Sequence, residues 1–252
     1  MASEPPRGHS TDGLPLLGQT LVVIGGSAGI GLATARLART QGASVVLTGR
    51  DPGRLRTAAK EADALSTAAF DAHDTALLER FFQQLPGPID HVLVTAGGPS
   101  YGRLLDMDAE QARRAISGHM VLALEVARHS VGVVRPGGTL LLLGGTGARR
   151  IRTALGIAPA VTAAMPAFTA SLALELAPVR VNLIAAGFVD TPLSARLLGD
   201  ALDTRRQELR AALPIGRVVV PDDVAALAVH IMTNTALTGG TYDIDGGQQL
   251  IG

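Results

Sequence analysis

The run Val22-Val23-Ile24-Gly25-Gly26-Ser27-Ala28-Gly29-Ile30-Gly31 constrains this chain more than any other stretch. Apolar strand formers lead into a glycine cluster, and a helical pattern over Ile30–Thr40 follows at once. A strand that turns sharply into a helix needs residues without Cβ atoms at the bend. Gly25, Gly29 and Gly31 give the spacing G-x-x-x-G-x-G. They allow close backbone approach to a ligand and aim the free amides of the helix at it. Phosphate is the chemistry that such a turn receives. Glycine turns also serve plain strand–helix packing; the position after the first strand, with a second strand about 20 residues on, favours a dinucleotide.

The rest of the chain keeps alternating short apolar runs with helical patterns. Strands are expected at Thr20–Ile24, Ser44–Thr48, Ser66–Phe70, His91–Thr95, Thr139–Leu143, Val179–Ile184 and Thr241–Ile244. Helices are expected at Ile30–Thr40, Pro52–Glu61, Asp74–Gln84, Asp108–Arg128, Pro159–Leu176 and Pro221–Met232. This alternation predicts one α/β domain: a doubly wound parallel sheet of seven strands with helices on both faces. Its ligands should bind beyond the carboxyl ends of the strands. A length of 252 residues suits one such domain, placed at residues 18–252. Residues 1–17 hold three prolines and no apolar run, and are expected to form a flexible tail.

Composition excludes several function classes. Lys+Arg and Asp+Glu balance at 22 each, which argues against nucleic acid or an anionic membrane as partner. No cysteine is present, so disulfides, thiolate metal sites and a Cys nucleophile are excluded. No metal site is expected, and a cytoplasmic location fits. The most apolar helical stretch, Ala158 to Ala177, contains Pro159, Pro166 and Glu175. It reads as a buried or interface helix rather than a membrane span.

The second strand ends Leu47-Thr48-Gly49-Arg50. An NAD site commonly places a carboxylate here for the ribose 2′-hydroxyl, whereas Gly49 offers none. The Arg50 guanidinium can pair with a 2′-phosphate and stack on adenine. NADP(H) is therefore expected in preference to NAD(H), the alternative being a solvated Arg50 beside Asp51.

These residues, with others over nearly the whole chain, resemble the classical short-chain dehydrogenase/reductase family, which implies a single Rossmann-fold domain. Ile24 to Gly31 is similar to its T-G-x-x-x-G-x-G, with Ile24 for the threonine. Val94-Thr95-Ala96-Gly97 stands where N-N-A-G is usual, and Asp71, followed by Ala72, resembles the adenine-contacting Asp. Val181-Asn182 through Ala186-Gly187-Phe188-Val189-Asp190-Thr191-Pro192 and Thr238-Gly239 through Asp243-Ile244-Asp245-Gly246-Gly247 match later family stretches. The resemblance implies a cofactor site built from Gly25, Ser27, Ala28, Gly29, Ile30, Gly31, Arg50, Asp71, Ala72, Ala96, Gly97, Gly187, Val189 and Thr191. It also implies a small-molecule substrate. Family members commonly pair through the helices after the fourth and fifth strands, so a homodimer or homotetramer is expected.

The resemblance fails where the family keeps its Tyr-x-x-x-Lys pair, its Ser and its Asn. Counting back from Ser171 to Pro178 puts Ala158 at the Tyr, Thr162 at the Lys, Gly145 at the Ser and His119 at the Asn. One check needs no alignment. Lys60 is the sole lysine and the tyrosines are Tyr101 and Tyr242, so no Tyr has a Lys four residues later. Pro166 lies four residues after Thr162, removes a helical hydrogen bond there and is expected to bend or loosen the helix.

Substitutes for the missing acid are His119, whose imidazole titrates near neutrality, then Thr146 and Tyr101. Each also has a plain packing role open to it, and Tyr242 reads as structural. Arg149, Arg150 and Arg152 crowd the loop after the fifth strand, where they form either a solvated face or a receptor for an anionic substrate. Three functions stay open: an NADP(H)-dependent reductase with a non-standard proton source, a catalytically silent NADP(H)-binding protein, and a non-redox enzyme reusing the pocket. The reductase is favoured because the substrate loop Gly187–Gly199 accompanies the cofactor residues.

Overall fold

The computed structural model describes residues 13–251. Seven parallel strands form one sheet in the order β3-β2-β1-β4-β5-β6-β7. They are β1 (Thr20–Ile24), β2 (Ser44–Gly49), β3 (Ser66–Ala69), β4 (Ile89–Val94), β5 (Val134–Gly145), β6 (Arg180–Ala186) and β7 (Thr241–Ile244). Every residue of β6 is buried, as are the last four of β1, so these central strands are near-continuous apolar runs covered on both faces.

Alternation along each strand divides the core in two. Val22, Ile24, Val92, Val94, Leu140 and Leu142 face one layer, made by α3 (Thr75–Gln83), α5 (Leu122–Ser130) and α6 (Ala158–Glu175). Leu21, Val23, Leu93, Leu141 and Ile184 face the other, made by α1 (Gly29–Thr40), α2 (Pro52–Glu61) and α9 (Pro221–Thr233). The strand order reverses between β1 and β4, which opens a crevice at their carboxyl ends.

Several expectations need correction. The expected helix Asp108–Arg128 is instead α4 (Ala109–Ile116), a π turn (Ser117–Val121) and α5. Ser117 and Gly118 are weak helix formers, and the Gly118 carbonyl lies against the loop after β4. β5 starts at Val134, not Thr139, because Val134 pairs with Ile89 across a register shift. α6 runs through Pro166 as one helix of 18 residues, with the proline inside it. The substrate loop Gly187–Gly199 holds α7 (Pro192–Leu198), and α8 (Leu202–Ala212) follows it; neither helix was expected. Leu16 is fully buried and its amide bonds to Gln41 O at 2.9 Å, so the packed domain begins before residue 18. Residues 1–12 of the expected tail lie outside the described residues.

Candidate functional site

At the crevice, β1 turns into α1 through glycines pressed against the β4 loop. A Cβ on Gly25 would lie 2.6 Å from the Ala96 amide nitrogen, and one on Gly31 would lie 2.5 Å from Gly25 O. The Thr95 hydroxyl ties the two strands together by donating to Gly25 O at 3.0 Å. α1 begins at Gly29 with Ala28 as its N-cap, no side-chain cap and no acidic residue in its first turn. Its leading amides are thus left to a ligand, and the helix dipole favours an anion there. Thr191 stands opposite, 3.5 Å from the Cβ that Gly29 lacks. It also caps α7 by accepting the Ser194 amide at 3.1 Å. These residues fit a dinucleotide pyrophosphate.

The 2′ end of that ligand would meet the end of β2. A Cβ on Gly49 would lie 3.1 Å from Ser27 Cβ and Oγ, so a carboxylate there would crowd the glycine turn. Arg50 is exposed and joins no ion pair among the described residues. Its neighbour Asp51 is committed to the N-terminus of α2, accepting the Arg54 amide at 2.9 Å. Asp71 Oδ1 accepts the His73 amide at 3.1 Å and Asp71 is exposed, while Ala72 is buried.

One cavity of about 480 Å³ runs from this turn towards β5 and α6. Its wall includes Ile30, Ala96, Gly97, Gly187, Val189 and Thr191 from the expected cofactor set, and Tyr101, His119, Gly145, Thr146, Ala158 and Thr162 from the expected catalytic positions. Gly25, Ser27, Ala28, Gly29, Gly31, Arg50, Asp71 and Ala72 lie outside that wall. Ala158 and Thr162 occupy the first turns of α6, and the Thr162 hydroxyl bonds back to Ala158 O at 3.0 Å and Pro159 O at 3.1 Å. A side chain on Gly145 would meet Thr162 Cγ2 at 3.5 Å. The three positions are therefore neighbours, and none of them carries an acid.

His119 sits in the π turn, a helix irregularity frequent at functional sites. Gly97 makes room for that turn: at φ 105°, its absent Cβ would fall 2.6 Å from Gly118 O. Burial holds the His119 imidazole below its ordinary pKa, and the neighbouring His73 pushes the same way, against the bond to Ala115. That bond runs from Nδ1 to Ala115 O at 3.3 Å, and a carbonyl can only accept, so Nδ1 carries the proton. In the neutral ring Nε2 is then an acceptor. Tyr101 is 55% exposed, and the partial burial raises its hydroxyl pKa.

Sequence reasoning missed several features in and around this wall, from which Arg149 itself is absent. Arg149 was grouped with Arg150 and Arg152, yet it forks onto Asp243 at 3.1 and 3.0 Å. Gln248, Gln249, Leu193, Leu197 and Arg205 also line the cavity. The Thr191-Pro192-Leu193-Ser194 run was a legible helix start that would have placed Leu193 and Leu197. The contact with Asp243 spans 94 residues and leaves no local trace. Tyr242 packs on Gly240, in keeping with the structural role expected of it. Among the described residues no cluster of metal-ligating side chains occurs, and no helix is long and apolar enough to cross a membrane.

A parallel sheet with a glycine turn at its switch point, an uncapped helix N-terminus and a cavity beyond it defines a Rossmann-type α/β protein. A family model described as enoyl-(acyl carrier protein) reductase matches residues 25–249. The chain is 31% identical over 249 residues to the short-chain dehydrogenase/reductase ATR9 of Stachybotrys chlorohalonatus, covering 91% of this chain and 96% of that one. It is likewise 31% identical to the short-chain reductase NovJ of Streptomyces niveus, covering 90% and 92%. A structure described as a small-chain dehydrogenase in complex with NADPH superposes with a TM-score of 0.79 at 28% identity, covering 92% and 99%. The fold is shared with MalC reductase/Diels-Alderase of Malbranchea aurantiaca at a TM-score of 0.88 and 24% identity, covering 94% and 98%. This chain belongs to the short-chain dehydrogenase/reductase family.

Proposed function

We propose that this protein is a cytoplasmic NADP(H)-dependent oxidoreductase that transfers hydride to a small carbonyl or conjugated substrate without the family's Tyr–Lys relay. Bound NADPH would supply the hydride. The observation that carries the reading is one cavity whose wall joins Ile30, beside the glycine turn, and Thr95, Ala96 and Gly97 to Ala158, Thr162 and Gly145, with His119 and Thr146 also on it. Gly49 and Arg50 support a preference for NADPH over NADH.

His119 is the proposed proton source. The neutral ring, with its proton on Nδ1, cannot donate from Nε2, so donation needs the imidazolium. Because burial lowers the His119 pKa, reduction should be fastest in mild acid and fall as pH rises through a value below the ordinary 6.5. The test pairs NADPH titration with a pH–rate profile on a substrate found by screening. His119→Asn should leave NADPH affinity intact and lower the acid-limb rate about 100-fold. An unchanged rate and profile would leave His119 as a packing residue and the proton to water. NADP⁺-dependent oxidation of ordinary secondary alcohols should be negligible.

A silent NADP(H)-binding role is the second reading, favoured by the missing relay; it predicts cofactor binding with no turnover of any carbonyl panel. Assembly as a homodimer or homotetramer is also proposed. Leu174 on α6 is 82% exposed and Val121 and Leu124 beside α5 are over a third exposed, apolar surface that a partner copy would cover. Light scattering at micromolar concentration decides it.

A further inference from the structure

The loop between β5 and α6 carries Arg149, Arg150 and Arg152, and the structure gives each a different surrounding. Arg149 is spent on Asp243, whose Oδ2 also accepts Gln249 Nε2 at 3.2 Å. Burial tends to raise the Asp243 carboxyl pKa, but the Arg149 fork outweighs it and holds the group below its usual range. The loop is thereby tied to β7 and to the C-terminal segment at one residue. The next residue is turned inward instead.

Arg150 is part of the cavity wall, and it is only partly exposed. Its Nη1 is shut off from solvent and has no hydrogen-bond acceptor among the described residues. A guanidinium stays charged at any accessible pH, so it cannot relieve this by losing a proton. Buried donors are normally paired, and an orphan on a cavity wall asks what occupies the cavity. The rest of the wall answers in part. It includes Arg152 and Arg205 and no Asp or Glu at all. Arg205 reaches Glu208 at 3.0 Å, outside the wall, which leaves Arg150 and Arg152 without a carboxylate partner.

We infer that the substrate carries an oxyanionic group, a carboxylate or a phosphate-type group, which Arg150 receives while Arg152 adds long-range attraction. Arg149 and Asp243 act as positioning residues that hold the loop so that Arg150 faces inward. This inference rests on the reading of the cavity as the substrate site of an NADPH-loaded reductase. A planar fork suits such an oxyanion, and a low-dielectric wall strengthens the pairing. The same wall disfavours a cationic substrate.

The experiment uses the full chain saturated with NADPH and three carbonyl probes: 4-oxopentanoate, its methyl ester and acetonylphosphonate. Binding is read by calorimetry, so no turnover is needed. At least one anion should bind tenfold or more tightly than the ester, and the better of the two identifies the oxyanion type. Arg150→Met should abolish that margin and leave the NADPH dissociation constant unchanged; Arg150→Gln serves if the first variant does not fold. Arg149→Met should reduce the margin several-fold by freeing the loop. Equal binding of ester and acid, an Arg150 variant that keeps the margin, or no binding by any probe would overturn the inference. Failure of the wild type to bind NADPH would instead overturn the functional reading, and that result is visible before any probe is added.

Discussion

Arg180, at the amino end of β6, and Arg150, beyond the carboxyl end of β5, are both arginines drawn away from solvent, and they are treated in opposite ways. Arg180 is 6% exposed and surrounded by acceptors. Its Nη1 donates to the carbonyls of Ile231, Asn234 and Leu237 at 2.9 to 3.1 Å, Nη2 to Met232 O at 2.8 Å and to the Thr139 hydroxyl, and Nε to Gly137 O at 3.1 Å. Several of these carbonyls end α9, where a cation also suits the helix dipole. Arg150 has an orphaned Nη1 and a cavity beside it. One end of the sheet surrounds its buried guanidinium with acceptors; the other leaves a guanidinium nitrogen unpartnered beside a cavity. The difference teaches that burial alone does not mark a functional charge, and the proposed oxyanion site rests instead on the missing partner.

The hardest test of that division is Arg180→Met. Methionine keeps much of the apolar stem but removes the donor to the carbonyls of Ile231 and Met232, while Leu237 O keeps Asn182 Nδ2 and Asn234 O keeps the Leu237 amide. Loss of a partner inside such a buried network costs about 3 kcal/mol or more. The urea midpoint should fall accordingly, while protein that remains folded still binds NADPH. A loss under about 1 kcal/mol would mean that water replaces the guanidinium, and the contrast between the two ends would collapse.

His91 offers a milder test at the same closed end. It is 3% exposed, its Nε2 meets Gln19 Oε1 at 2.6 Å, and its Nδ1 has no partner. Burial, aided by the Arg180 charge, pushes its pKa down to about 3. The folded pKa lies below the unfolded value of 6.5, so the unfolded chain takes up the proton first as pH falls. Stability is complete above pH 6.5 and is lost below it at up to about 1.4 kcal/mol per pH unit, towards pH 3. Unfolding free energies from urea titrations at pH 7 and pH 5 should differ by about 2 kcal/mol from this group. His91→Leu should flatten that slope, and an unchanged slope would assign acid sensitivity elsewhere.

What the sequence made legible follows the same division. The β1 turn and the run from Val181 to Pro192 are local patterns, and glycine spacing or strand periodicity reveals them without knowledge of distant contacts. The vacancies at Ala158, Thr162 and Gly145 were legible for a similar reason, since a missing residue type needs only a count. Arg180 left no such sign, because its acceptors lie 41 to 57 residues away and most are carbonyls, which every residue has. The Arg149–Asp243 fork hid for the same reason, so three arginines in one loop looked alike although one is paired and one is orphaned. The π turn at His119 was hidden because Ser117-Gly118 also fits an ordinary helix, and only the close approach to Gly97 distinguishes the two.

The smallest expected effect belongs to Arg50, and it tests whether the open end can lose function without losing stability. Arg50 follows β2, is exposed, and joins no ion pair among the described residues. A Cβ on its neighbour Gly49 would press on Ser27 at 3.1 Å, and Gly49 offers no carboxylate, so the proposed discrimination between cofactors rests on the arginine. A 2′-phosphate on the ribose would receive a charge-assisted hydrogen bond from the guanidinium, screened in part by solvent at this exposed site. Arg50→Ala should therefore weaken NADPH binding about tenfold, or about 1.4 kcal/mol, and leave NADH binding nearly unchanged. The effect should shrink as salt rises, because an exposed pair is screened. The unfolding free energy from urea titration should change by less than about 0.5 kcal/mol, since the exposed side chain joins no ion pair among the described residues. Equal loss for both cofactors would show that Arg50 stacks on the adenine rather than reading the phosphate.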